Sequence, residues 1–80
     1  MPTKTSAKAC AERLLLLTEA LIDAVAADSP DELNGLFQTR QEVIEQLATM
    51  DLDPGAAAVL ELATKAERRL LTEMHRSQRP

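Results

Sequence analysis

Few side chains in this 80-residue sequence have the type and the setting to do chemistry, and the first of them is an arginine in an apolar stripe. At about 100° per residue, Leu33, Leu36, Phe37, Val43, Ile44 and Leu47 share one helical face, and Arg40 falls in the middle of it. A buried guanidinium with no counter-charge is prohibitively expensive. Glu67 interrupts the apolar arc of a later segment in the same way, and Thr18 lies inside that of an earlier one. If the two later segments run antiparallel about a turn near Leu52, Arg40 stands level with about Thr64, one turn from Glu67. Folding the first segment back about Ser29 brings Leu17 and Thr18 to the same level. The spacing predicts a polar layer of Thr18, Arg40 and Glu67, with Thr64 beside it, in which an ion pair fixes register at little net stability. Two other roles for Arg40 stay open: a groove residue that meets a client carboxylate, or a side chain that snorkels to water along its stem.

The remaining reactive groups are isolated. Cys10 is the single cysteine, so no disulfide framework exists within the chain; it reads as a small apolar residue suited to a reducing compartment. His75 has no second histidine and no carboxylate at ligand spacing, so neither a metal nor another cofactor is expected. Arg68, Arg69, Arg76 and Arg79 are interleaved with Glu61, Glu67 and Glu73 and have no aromatic stacking partners. Residues 14–55 carry nine acidic groups against one basic, inside a net charge of −4, which argues against nucleic acid. There is no Gly-rich phosphate loop, nucleophile elbow or zinc spacing, so the expectation is a protein with no enzymatic activity.

The elements that position these residues are helices. Alanine, leucine, glutamate and arginine dominate and Phe37 is the single aromatic, so aliphatic packing carries the core of one domain spanning residues 1–80. A core this small is marginal and makes help from a partner or a second copy a natural expectation. The first helix spans about 7–27, capped by Thr5 or Ser6. The second spans about 30–49: Ser29, Pro30 and Glu32 have the spacing of a capping box with proline at the first helical position. The third spans about 54–76, capped by Asp53. Residues 1–5 and 77–80 read as loose tails. Short connections predict an all-α, three-helix, up-down-up antiparallel bundle built on an αα-hairpin. The apolar run 14–17 is followed by Glu19 and Asp23 instead of a cleavage site, and no stretch reaches the roughly 20 apolar residues of a membrane span. A cytoplasmic protein with no membrane insertion is expected.

The apolar faces are wider than a three-helix core requires. On the first helix, Cys10, Leu14, Leu17, Leu21 and Ala24 form one row and Ala11, Leu15, Thr18, Ile22 and Val25 a second beside it, together covering about half the surface. The positions least needed for the core are Leu15, Ile22, Val25, Leu62 and Leu71, and with the outlying Leu16 they are the candidates for partner contact.

The run from Leu14 through Ile22, followed by Asp31-Glu32-Leu33-x-x-Leu36-x-x-x-Arg40-x-x-Val43-Ile44-x-x-Leu47, resembles the flagellar export chaperones of the FliT type over about residues 14–50. The resemblance implies a helical-hairpin chaperone that shields an amphipathic helix of a flagellar subunit before type III secretion, a mode of recognition that wide apolar faces suit. An alternative from another class is a self-associating helical bundle with no client, its faces covered by a second copy. A third reading comes from Leu21-Ile22-Asp23-Ala24 with Leu33, Leu36 and Arg40, which resembles the first helices of all-α chorismate mutases. That resemblance implies a clamp of several cations on a dicarboxylate, and the interior expected here offers Arg40 alone with an acid opposite.

Overall fold

The computed structural model describes residues 6–77; the residues expected as loose tails lie outside that range, except Ser77, which belongs to the last helix. Three helices follow one another: α1 (Ala7–Ala26), α2 (Pro30–Ala48) and α3 (Pro54–Ser77). The fold is an all-α three-helix bundle, with no strand among the described residues.

Local chemistry sets the helix ends. Ser6 begins α1 in extended geometry (φ −72°, ψ 156°), and its Oγ accepts a hydrogen bond from the Ala9 N–H at 3.1 Å. Asp53 does the same for α3, where its Oδ1 accepts from the Ala56 N–H at 2.7 Å. The capping box expected at Ser29 does not form, for the Ser29 side chain makes no cap hydrogen bond and its backbone sits at φ −112°, ψ 84°. The end of α1 has taken that residue over. Ser29 N–H donates to the Ala24 carbonyl and Asp28 N–H to the Val25 carbonyl, both at 3.1 Å, with Asp28 in the left-handed region at φ 56°. This is a Schellman closure with aspartate where glycine is usual. Ser29 serves both helices through its backbone, its carbonyl accepting from the Leu33 N–H at 3.0 Å. Pro30 in the first turn and the acidic Asp31 and Glu32 supply the remaining start signal.

The helices do not contribute equally to the packing. α1 contacts both others and its most extensive interface is with α3, whereas no Cα of α2 comes within 8 Å of one in α3. Ala11, Thr18 and Val25 recur every seven residues on α1, and Ala56, Ala63 and Leu70 do so on α3; all six are buried. Small side chains at this period let two helix backbones approach closely over several turns. On its other flank α1 meets α2 with longer side chains: Cys10 and Leu14 pack with Val43 and Leu47 at one end. At the other end Leu21, Val25 and Leu70 gather Leu33, Leu36, Phe37 and Met74 around them. Lys8 lies beside Gly55, and Ile22 lines one hollow with Arg68 and Arg69, so α1 and α3 run in parallel with residue numbers offset by about 47.

Candidate functional site

Arg40 and Glu67 meet across the space between α2 and α3. Arg40 Nη2 donates to Glu67 Oε1 at 2.5 Å, from side chains that are 16% and 46% exposed respectively. Because the two backbones stand apart, only long side chains span the gap, and this pair is the direct ion pair between the two helices among the described residues. Arg40 Nε is buried and has no hydrogen-bond partner. The guanidinium is therefore anchored at one corner, and its low exposure shows that its stem does not carry the charge out to bulk water.

The wider polar layer is corrected to this pair. Thr18 is buried, but its hydroxyl donates to the Leu14 carbonyl at 2.8 Å, one turn back on its own helix. Thr64 is exposed and likewise donates to the Leu60 carbonyl at 2.9 Å. A threonine on a helix satisfies its hydroxyl locally at almost no cost in entropy, and that competitor wins over a bond across the bundle. A cation clamp for a dicarboxylate does not assemble either. Arg40 is the arginine or lysine that points inward among the described residues, while Lys8, Arg13, Lys65, Arg68, Arg69 and Arg76 are exposed.

The free Cys10 thiol is buried, 3.8 Å from Gln46 Oε1. His75 is exposed on α3 and, with Leu71, Thr72 and Arg76, lines an open hollow of about 600 Å³. The described residues contain no group of three or more His, Cys, Asp or Glu side chains placed to hold a metal ion. No described helix is long and apolar enough to cross a membrane.

The six apolar candidates separate into distinct places. Val25 is not available to a partner: it is 7% exposed and belongs to the core with Leu21 and Leu70. It lies in the row of α1 that faces α3, and sequence reasoning missed this by treating that row as spare. Leu15 and Ile22 are partly buried at the edges of the two core clusters. Leu16, Leu62 and Leu71 are 65%, 52% and 59% exposed. The offset of about 47 between α1 and α3 sets Leu15 level with Leu62. Helical phase then puts Leu15, Ile22 and Leu62 along the outer α1–α3 seam, on the side turned away from α2. The hollow formed there by Ile22, Arg68, Arg69, Thr72 and Glu73 has a volume of about 250 Å³. Leu71 lies across α3 from Leu62, nine residues or half a rotation away, and Leu16 is alone on the back of α1 among Glu12, Glu19 and Asp23. Leu52, half exposed between Asp51 and Asp53 in the second connection, joins them as an exposed apolar residue outside any periodic row. Comparison of the chain with protein-family models, curated proteins and solved structures gives no match, so the functional reading rests on the surfaces just described.

Proposed function

We propose that this chain is a small helical chaperone or adaptor that binds an amphipathic helix of a partner, a flagellar subunit bound for type III secretion, and that it works in the cytoplasm. The observation that carries the reading is the apolar strip of Leu15, Ile22 and Leu62 along the outer α1–α3 seam. Leu15 and Ile22 are two helical turns apart, about 10.5 Å at 1.5 Å per residue, which is the spacing of i and i+7 positions on a client helix laid along the seam. Leu62 stands level with Leu15 and gives the strip its width. Arg69 and Glu73 beside Ile22, and Lys8 beside Gly55, supply a charged rim of both signs. Covering the strip removes apolar surface from water at roughly 25 cal/mol per Å², and holding the client there keeps its own leucines from associating.

In this reading Arg40 and Glu67 set the packing of the bundle and take no part in client contact. Co-expression with a filament-cap or filament-junction subunit tests the proposal. It predicts a complex that survives purification and is lost in Leu62→Asp, a variant that keeps its melting temperature because the residue is half exposed. If none of the secreted flagellar subunits binds, the reading fails. If Arg40→Met keeps the melting temperature but abolishes binding, the client site lies at Arg40 instead of the seam.

A further inference from the structure

The outer seam has two banks, and their charges are opposite in sign. On α1, Glu19 and then Glu12 lie outward of the Leu15 column, about 40° and 60° further round the helix and away from α3. On α3, Arg69 follows Leu62 by seven residues and continues its column, and Arg68 joins it around the hollow of about 250 Å³ beside Ile22. Glu12, Glu19, Arg68 and Arg69 are all exposed. None of the four forms an ion pair among the described residues, where the pairs are Arg40–Glu67 and Arg76–Glu73. Glu73 is the acid that shares the hollow, and Arg76 stands 3.4 Å from it, so the α3 bank keeps an excess of positive charge. The floor of Leu15, Ile22 and Leu62 separates the banks, and their opposite charges do not meet across it.

An apolar floor between an acidic and a basic bank is the complement of an amphipathic helix whose apolar stripe has bases along one flank and acids along the other. We propose that the seam selects a client helix of this kind. Its acids meet Arg68 and Arg69 of α3, its bases meet Glu12 and Glu19 of α1, and its stripe covers Leu15, Ile22 and Leu62. The inference rests on the client-helix reading of the seam and adds to it which helices are bound. A helix with the same sign on both flanks meets like charge along one bank, which is where the discrimination arises. Turning a two-signed helix end for end exchanges its flanks, so the banks also fix the direction in which it lies.

Fluorescence anisotropy of the full chain with three synthetic helices tests the proposal. The peptides, roughly 18 residues or five turns long, share one leucine stripe and differ in their flanks: Glu on one and Lys on the other, Glu on both, or Lys on both. The two-signed peptide is expected to bind at least about tenfold tighter than either of the others, with a preference that shrinks as salt screens the banks. The double variant Arg68→Glu, Arg69→Glu is expected to shift the preference to the all-Lys peptide, and Glu12→Lys with Glu19→Lys to the all-Glu peptide. These side chains are exposed, so helicity is expected to hold; if a reversal costs helicity, Arg69→Gln alone is expected to remove part of the preference. Leu62→Asp is expected to weaken all three peptides. Equal binding of the three, all lost in Leu62→Asp, overturns the inference and leaves the client reading standing. A preference that survives both charge reversals also overturns it, since the selecting charges then lie elsewhere. If none of the peptides binds at millimolar concentration, the inference and the client reading fail together, and a dimer lost in Leu62→Asp would name a second copy as the occupant of the seam.

Discussion

Arg40 and Glu67 share a hydrogen bond but differ in what each loses without the other. Glu67 is nearly half exposed and returns to water when unpaired, whereas Arg40 is mostly buried, with one nitrogen already lacking a partner. The cost of breaking the pair therefore depends on which side chain is removed. Glu67→Ala is expected to cost about 1–2 kcal/mol, below the value for a fully buried pair because the carboxylate is partly solvated. Arg40→Met is expected to cost less than that or to stabilise, since a similar apolar volume replaces an under-satisfied charge. Urea unfolding of both single variants and the double variant checks this, and a larger loss for Arg40→Met contradicts the asymmetry. Gly35 gives a simpler case at the same scale. A Cβ added there meets nothing within 4 Å, and the residue sits inside α2 at negative φ. Gly35→Ala is expected to raise stability by roughly 1 kcal/mol, read as a higher melting temperature.

At the scale of elements, the helix starts separate bonds that are made from bonds that the sequence only suggests. Asp53→Ala removes a formed cap bond and is expected to cost about 1 kcal/mol. Ser29→Ala removes none and is expected to change stability by less than about 0.5 kcal/mol. Asp28→Gly is expected to stabilise modestly, as its left-handed backbone is strained for aspartate and ordinary for glycine. Thermal unfolding of the three variants orders them. This contrast also marks how far the sequence could be read. Period and proline placement located the three helices, because those signals are local and nothing competes with them. The role of Ser29 was not legible, because cap spacing does not reveal that the preceding helix closes on the same residue. Val25 was misjudged for a related reason: its position on the wheel is right, but burial against α3 depends on how closely α1 and α3 approach, which only the alanines of both helices together decide. Thr18 is buried as its wheel position suggests, but spacing does not reveal that its hydroxyl bonds the Leu14 carbonyl one turn back. The Arg40–Glu67 contact was legible because two misfit charges at matching levels are rare, and Leu52 was missed because a loop residue has no period to betray it.

For the whole molecule, the packing leaves three unequal surfaces. The α1–α3 interface is dense and small-residued, its outer seam carries Leu15, Ile22 and Leu62, and α2 and α3 face each other across a gap that side chains alone close. Of these, the outer seam is the surface proposed for a client helix, because Leu15, Ile22 and Leu62 line it together. Isothermal titration of the purified chain with a purified filament-cap or filament-junction subunit tests that assignment most directly. The account predicts saturable one-to-one binding with a negative heat-capacity change from apolar burial, lost in a Leu15→Asp, Leu62→Asp double variant that keeps its helical circular dichroism. Absence of binding by the native chain, or equal binding by the double variant, contradicts it.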